Sequence, residues 1–133
     1  MESGTLEQSN GFLKIGSFTD LRVWQQAHAL VLLIYRETKL FPKEEQFGLV
    51  SQLRRAIVSV TSNIAEGFSR PTYPDKLRFY YIALGSLVEV QNQLLIARDV
   101  GYLTVERFNV VAQQAIITHK MLNAFITTTK QWC

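Results

Sequence analysis

The sequence predicts an all-α protein in which four helices form an up-down-up-down four-helix bundle. Four long segments repeat their apolar residues at spacings of three and four, which is the periodicity of amphipathic helices. Proline, glycine and polar residues separate the segments, and no run alternates apolar and polar residues as a half-buried strand does. Because the connections are short, neighbouring helices are expected to run antiparallel. The predicted helices cover about residues 19–40, 43–68, 74–100 and 104–129.

The chain has the size of one domain, with 133 residues. We assign residues 17–130 to the bundle and predict a flexible N-terminal arm over residues 1–16, where apolar residues show no period. Hydrophobic residues make up 47% of the chain and charged residues 19%. This charged fraction lies below the usual level of about a quarter. A surface poor in charge favours burial against other chains.

Capping signals predict where the first two helices start. Thr19 or Asp20 is expected to cap the first helix, because both side chains accept hydrogen bonds from backbone N–H groups. Pro42 predicts the start of the second helix, since proline suits the first helical position. Glu44 and Glu45 would follow in the first turn, where the helix dipole favours negative charge.

Glycine and proline predict the remaining boundaries. Gly67 is expected to end the second helix, with Pro71 beyond it, and Pro74 to open the third. Gly101 is expected to end the third helix, and Thr104 to cap the fourth.

The third helix is predicted to be apolar on two faces. One stripe consists of Leu77, Tyr81, Leu84, Val88 and Leu95, and the other of Phe79, Ala83, Ser86, Val90 and Ala97. A helix in an isolated bundle needs one buried stripe, so the second stripe predicts self-association. A broad contact inside the monomer is the alternative. The candidate residues for an oligomer or helix interface on this helix are Phe79, Ala83, Ser86 and Val90.

A polar stripe on the second helix crosses the segment VSVTSNIAEGFSR at residues 58–70. Helical geometry places four of its residues on one face and three beside them, namely Arg55, Ser59, Ser62 and Glu66 flanked by Gln52, Asn63 and Arg70. Small serine side chains permit close approach of another helix, and the amide and carboxylate supply directional contacts. We interpret Ser59, Ser62, Asn63 and Glu66 as a subunit- or helix-contact face, and a plain solvated face is the alternative.

The sequence offers no recognisable catalytic or metal-binding motif. Its glycines do not form a phosphate-binding loop, and no glutamate precedes a histidine by three residues as a di-iron bundle requires. His28 and His119 have no ligand partner four residues away. The predictions are therefore no enzymatic activity, no cofactor and no metal.

Cytoplasmic location is the default expectation. Residues 1–16 lack the apolar core of a signal peptide, and no apolar run is long enough to span a membrane. The single cysteine, Cys133, cannot form a disulfide within the chain, which fits a reducing compartment.

A modest basic excess permits nucleic-acid binding, with a net charge of +3 and a pI of about 9.2. In the predicted topology, the bundle end that holds both termini and the 68–75 loop has more basic than acidic residues. Tyr73, Phe79 and Tyr80 lie near that end and are candidates for stacking on bases. The candidate nucleic-acid-binding residues are Arg54, Arg55, Arg70, Lys76 and Arg78. Arg55 and Arg70 serve equally well as salt-bridge partners in an interface.

Several motifs together resemble one bacterial protein family. They are L-x-V-W-Q at 21–25, F-P-x-E-E-x-F-G-L at 41–49, S-Q-L-R-R-A at 51–56, S-N-I-A-E-G at 62–67 and A-L-G-S-L-x-E at 83–89. Over about residues 18–127 the chain resembles the four-helix-bundle proteins encoded within intervening sequences of large-subunit ribosomal RNA genes. That family is more distantly related to the accessory variability protein of diversity-generating retroelements.

The resemblance implies a left-handed four-helix bundle assembled into a homopentamer with a central channel, and no known enzymatic activity. It also implies a link to ribosomal RNA. The leading hypothesis is a non-enzymatic oligomeric bundle that binds RNA or a ribonucleoprotein partner through basic residues. The alternative is a protein–protein scaffold with no nucleic-acid role.

Overall fold

The computed structural model describes residues 16–133 of the chain. Its four α-helices are α1 (Arg22–Thr38), α2 (Leu49–Ser69), α3 (Tyr73–Asp99) and α4 (Val105–Lys130), with two 3₁₀ turns at Phe18–Asp20 and Lys43–Glu45. Within these described residues the protein is all-helical and contains no strand. The flexible arm predicted over residues 1–16 lies outside them, except for Gly16.

Each helix packs against two neighbours. α1 contacts α2 and α4, and α3 contacts the same two helices, whereas the diagonal pairs of these four helices do not meet. Paired positions run in opposite directions: Gly67 of α2 lies beside Tyr80 of α3, and Ser59 bonds Ser86. The arrangement is antiparallel and compatible with a four-helix bundle.

One apolar core lies between the four helices. Each helix contributes a fully buried leucine, and these are Leu30, Leu53, Leu87 and Leu122. Burying a leucine side chain stabilises the fold by about 1.5–3 kcal/mol relative to exposure. The predicted 3–4 spacing is thus the spacing of the core residues. No helix in the described part of the chain is long and apolar enough to cross a membrane.

The start of α1 differs from the prediction. Ser17 is the capping residue: its hydroxyl accepts from the Thr19 N–H at 3.1 Å, and the Asp20 carboxylate accepts from the Ser17 N–H at 3.1 Å. This reciprocal pair caps the short 3₁₀ turn. The N-cap of α1 itself is Leu21, which makes no side-chain capping bond. The prediction of Thr19 or Asp20 as the cap of α1 was therefore wrong.

The second helix begins at Leu49, six residues later than predicted. Pro42 instead precedes the 3₁₀ turn, and the N-cap residue Gly48 has φ −110° and ψ −110°, outside helical geometry. Glu45 supplies the cap that glycine lacks, because its Oε1 accepts from the Leu49 N–H at 3.0 Å. Its Oε2 accepts from the Tyr102 hydroxyl at 2.8 Å. These two bonds, first from Leu49 and then from Tyr102, lower the pKa of Glu45.

Gly67, which the sequence predicts to end α2, does not end it, since the helix continues to Ser69. Its role is close packing: a Cβ atom at this position would lie 2.6 Å from Tyr80 Cε1 and 3.0 Å from Phe79 Cβ. Real Cβ contacts are longer, so only glycine lets α2 and α3 approach this closely.

Gly101 and Thr104 act as predicted, whereas α3 begins at Tyr73, one residue before Pro74. Gly101 follows the end of α3 with φ +90°, and its N–H donates to the Arg98 carbonyl at 3.1 Å. The Tyr102 N–H donates to the Ala97 carbonyl at 2.8 Å, which completes a Schellman motif. Thr104 caps α4 by accepting from the Arg107 N–H at 3.2 Å.

Candidate functional site

The five predicted nucleic-acid-binding residues form two separate clusters. Arg54 and Arg55 lie in the second turn of α2, whereas Arg70, Lys76 and Arg78 lie around the α2–α3 turn. A helical rise of about 1.5 Å per residue puts Arg54 and Arg70 roughly 24 Å apart along α2. The structure therefore does not bring all five into one site.

At the α2–α3 turn, two arginines pack on one buried ring. The guanidinium carbons of Arg70 and Arg78 lie 4.5 Å and 4.7 Å from the centroid of Phe79. Arg70 also pairs with Glu66 at 3.2 Å, and Arg78 pairs with Asp75 at 2.9 Å. Both cations are thus held and partly neutralised by neighbours within the chain. We call Arg70, Lys76, Arg78 and these neighbours the turn cluster.

Lys76 is the third cation of the turn cluster. Its Nζ donates to the Phe68 carbonyl at 2.6 Å and lies 5.3 Å from the Phe68 ring centroid. Phe68 is in the last turn of α2, where a cation satisfies the free carbonyls and the negative end of the dipole. Burial lowers the pKa of Lys76.

Two of the aromatic residues predicted to stack on bases are buried instead. Phe79 is 8% exposed and Tyr80 is 1% exposed. Tyr80 packs against Phe125 with ring centroids 4.7 Å apart, and burial raises the pKa of Tyr80 to about 12. The third aromatic, Tyr73, is exposed and stacks on Trp132 at 6.3 Å. The stacking prediction was therefore wrong for Phe79 and Tyr80, because the helical stripe that carries them faces the core.

Arg54 occupies a different setting, between α1 and α2. Its Nε donates to Thr38 Oγ1 at 2.9 Å, its Nη2 donates to the Tyr35 carbonyl at 3.4 Å, and its guanidinium lies 4.6 Å from the Tyr35 ring centroid. Thr38 Oγ1 in turn donates to the Ile34 carbonyl at 2.7 Å. Two bonds and a ring therefore fix the direction of this guanidinium.

Arg54 and Arg55 flank an open groove of about 450 Å³. We call it the α1–α2 groove, and its lining residues are Tyr35, Arg54, Arg55, Val58, Ser59 and Ser62. Arg55 and Ser62 are exposed, and neither side chain has a hydrogen-bond or ion-pair partner among residues 16–133. None of the six lining residues is acidic.

The sequence did not single out Tyr35 or Thr38, which orient Arg54. Neither residue belongs to a motif, and the two bonds span 16 and 19 positions of sequence. The signal that identifies them is antiparallel pairing across a short α1–α2 connection, which sets the last turns of α1 opposite the first turns of α2.

The predicted interface residues lie mainly in the contact between α2 and α3. Ser59 Oγ and Ser86 Oγ are 2.8 Å apart, and Asn63 Nδ2 donates to the Ser59 carbonyl at 2.8 Å and to Ser59 Oγ at 3.1 Å. Phe79, Ala83 and Val90 are buried beside them. Ser62 and Glu66 are exposed and take no part in this contact.

The other apolar stripe of α3 lies largely at the surface. Exposed apolar residues on the outer side of α3 and the adjacent side of α4 are Tyr81, Ile82, Val88, Leu95, Ile96 and Ile116. We call these residues the outer α3 face. Leu95 and Ile116 also line a shallow apolar groove of about 160 Å³ between α3 and α4.

The remaining polar side chains mostly join helices. His119 Nδ1 bonds Gln91 Oε1 at 2.9 Å across α3 and α4, and Gln114 Nε2 donates to Gln26 Oε1 at 2.8 Å across α1 and α4. Within residues 16–133, no three His, Cys, Asp or Glu side chains gather closely enough to hold a metal ion.

Comparison with known proteins identifies relatives of uncharacterised function. A search of curated proteins finds no match. The chain is similar in fold to a crystal structure of a protein of unknown function from the S23 ribosomal protein family of Bacteroides thetaiotaomicron. The two share 20% sequence identity with a TM-score of 0.72, over 79% of this chain and 95% of that one. The family described as 23S rRNA-intervening sequence protein matches residues 19–124. Since that match spans most of the sequence and includes at least part of every helix, the chain belongs to the 23S rRNA-intervening sequence protein family.

Proposed function

We propose that this protein is a non-enzymatic, self-associating helical protein that binds RNA or a ribonucleoprotein partner through basic surface residues. The outer α3 face is the observation that carries self-association. The link of the family to 23S rRNA intervening sequences, together with the surface arginines, supports the RNA part. Such a partner would place the protein in the cytoplasm.

Self-association follows from apolar area that the chain itself leaves uncovered. Tyr81, Val88 and Leu95 of the outer α3 face recur along α3 at the spacing of a helix–helix seam. Val88 is 49% exposed and Leu95 is 42% exposed. A second helix packed on this seam would remove these side chains from water.

A homopentamer is the assembly we propose, on the strength of the sequence motifs shared with the family. In a ring, each basic surface recurs once per subunit, so the positive field of one protomer is multiplied around the symmetry axis. A modest charge of +3 per chain would then act together on an extended polyanion such as RNA.

A non-catalytic role is supported by where the polar residues of α2 are used. Ser59 and Asn63 bond within the α2–α3 contact, and Glu66 pairs with Arg70. Ser59 and Asn63 therefore serve the packing of α2 on α3 and Glu66 holds Arg70, which supports a packing role for these three residues rather than a catalytic one.

A protein–protein scaffold without RNA is the second candidate. The turn cluster favours it, because Arg70 and Arg78 pair with carboxylates inside the chain and Lys76 donates to a carbonyl. Cations with these partners contribute less to attracting a polyanion.

Native mass spectrometry of the full chain tests the assembly. We expect several subunits for the wild type and a monomer for Val88→Glu, because a carboxylate cannot be buried unpaired in an apolar seam. Leu32→Glu is the matched control, since Leu32 is an exposed apolar residue of α1 outside the outer α3 face. A wild type that is monomeric at micromolar concentration contradicts the assembly.

Salt-dependent RNA retention tests whether the protein binds RNA. It also distinguishes an RNA-binding protein from a protein–protein scaffold. RNA binding through phosphates weakens steeply as salt increases, because binding releases counterions. Retention of single-stranded RNA that declines along a potassium chloride series supports RNA binding. A wild-type protein that retains no RNA at low salt, or whose retention shows no salt slope, supports the scaffold.

A further inference from the structure

We infer that the α1–α2 groove binds a backbone phosphate of single-stranded RNA, with Arg54 and Arg55 as its cationic contacts. This inference rests on the RNA-binding part of the proposed function and locates it on one surface. The turn cluster, which has three cations where the groove has two, is assigned a structural role instead.

The α1–α2 groove has positive charge that no carboxylate in its lining compensates. Two guanidinium groups flank the groove, and its other lining residues are uncharged. The nearest acidic residue along this face of α2 is Glu66, one turn beyond Ser62, and it pairs with Arg70 at 3.2 Å. Positive charge without a neighbouring carboxylate keeps its full attraction for an external anion.

The guanidinium of Arg54 is already oriented by contacts within the protein. The bonds from Arg54 to Thr38 Oγ1 and the Tyr35 carbonyl use its Nε and Nη2. Its Nη1 has no protein partner within residues 16–133, so the guanidinium is held in place with donors to spare. Holding an arginine before binding lowers the entropy cost of its contact with a phosphate.

The shape of the groove suits an extended strand. The groove is open rather than enclosed, so it cannot surround a small molecule on most sides as ligand pockets do. A strand that passes along the surface needs an open path. Val58 and Tyr35, which are 39% and 37% exposed, supply apolar surface for a sugar or base edge beside the phosphate. The exposed Ser62 hydroxyl adds a hydrogen-bond donor.

The test compares two charge reversals on opposite sides of the molecule. Arg55→Glu changes the groove, and Lys120→Glu changes an exposed lysine of α4, the helix diagonal to α2. Both variants lower the net charge by the same amount. Fluorescence anisotropy measures binding of a labelled single-stranded RNA of about 12 nucleotides over a potassium chloride series.

We expect Arg55→Glu to weaken RNA binding about tenfold at low salt and to reduce the salt slope by about 0.7 for each phosphate that is no longer neutralised. Lys120→Glu should change the affinity less than about threefold, as a general field effect. Arg55→Lys should recover most of the binding, because it keeps the charge. Ser62→Asp should weaken binding as Arg55→Glu does, since it adds a carboxylate to an exposed position of the groove without removing an arginine. Circular dichroism of each variant confirms that it is folded.

The outcomes separate this inference from the proposed function. If the wild type binds RNA and Arg55→Glu binds it equally well, the groove assignment is wrong and RNA contacts another surface. If the wild type binds no RNA at low salt, the proposed function fails and the groove assignment fails with it. Inorganic phosphate and a nucleoside monophosphate form the last arm. If either compound competes with the labelled RNA at micromolar concentration, the ligand of the groove is a free phosphate compound and not an RNA strand.

Discussion

The arginine clusters at the α1–α2 groove and at the α2–α3 turn contain similar residues in different electrostatic settings. At the turn cluster, Arg70 and Arg78 pack on the Phe79 ring and pair with Glu66 and Asp75. At the α1–α2 groove, Arg54 and Arg55 have no carboxylate among the groove residues. A count of basic residues favours the turn, whereas the geometry favours the groove.

The difference shows that partners inside the chain decide what a surface cation can do. A guanidinium that already has an aromatic face and a carboxylate contributes to helix capping and packing. An exposed guanidinium without such partners keeps its charge for a ligand. Mutation of Arg70 in the turn cluster should therefore reduce stability, whereas mutation of Arg55 in the groove should reduce ligand binding.

The largest stability effect is expected at the close approach beneath the turn cluster. Gly67→Ala should destabilise the protein by about 2–3 kcal/mol, because the added methyl meets Tyr80 Cε1 at 2.6 Å. Urea unfolding monitored by circular dichroism measures this destabilisation. Gly85→Ala is the matched control: a Cβ there meets nothing within 4 Å, and alanine should stabilise α3 by about 0.5–1 kcal/mol. Equal unfolding midpoints for Gly67→Ala and the wild type would contradict the packing role.

A smaller effect is expected for the turn cluster itself. Arg70→Ala should cost about 1 kcal/mol, since it removes a cation–π interaction and a partly exposed ion pair with Glu66. Lys120→Ala, on exposed α4 surface, should stay within about 0.5 kcal/mol of the wild type in the same urea series. RNA affinity of Arg70→Ala should change less than that of Arg55→Glu. The reverse order would exchange the roles of the two clusters.

Acid should weaken the cap that Glu45 gives to the start of α2. Because the pKa of Glu45 is lowered in the folded protein, its carboxylate contributes stability above the ordinary glutamate pKa of 4.5, and this contribution disappears as pH falls through the lowered pKa. Glu45→Gln should therefore be less stable than the wild type at pH 7, and the two should converge at acid pH.

Urea unfolding over a pH series measures that convergence. Tyr102→Phe removes one of the two hydrogen bonds to the Glu45 carboxylate and should show a weaker form of the same pH dependence. A difference between Glu45→Gln and the wild type that stays constant with pH would show that Glu45 does not act through its charge.

The smallest stability effect is expected for Arg55 in the groove. Arg55→Ala should change the free energy of unfolding by no more than about 0.5 kcal/mol, because Arg55 is exposed and has no partner among the described residues. Arg54→Ala should cost about 1 kcal/mol, because it removes the hydrogen bonds to Thr38 and Tyr35. A large destabilisation for Arg55→Ala in urea unfolding would assign it a structural role instead.

The sequence predicted the four helices because their 3–4 spacing is the spacing of core residues such as Leu53 and Leu122. It placed the start of α2 too early, since Pro42 and the two following glutamates suit a 3₁₀ turn as well as an α-helix. The Leu49 N–H donates to Glu45 Oε1 across Gly48, and this bond caps α2. The proline and glutamate pattern does not indicate which of the two helical forms has that cap.

Only some contacts of the candidate site could be predicted from the sequence, for a physical reason. The pairs Glu66–Arg70 and Asp75–Arg78 lie four and three residues apart, so their mutual neutralisation could be inferred from sequence. The packing of both arginines on Phe79, and the bond from Arg54 to Thr38, depend on how helices meet. Such contacts between helices have no counterpart in the periodicity of a single segment.

The hydroxyl pair of Ser59 and Ser86 makes one alignment of α2 and α3 better than its alternatives. Apolar residues at a repeating interval allow two helices to slide by one repeat and still bury similar surface. The 2.8 Å contact between the two hydroxyls, with Asn63 bonded to Ser59, would be broken by such a slide. The hydroxyl pair therefore disfavours misaligned states that apolar packing alone would tolerate, by about 1 kcal/mol for the lost hydrogen bond.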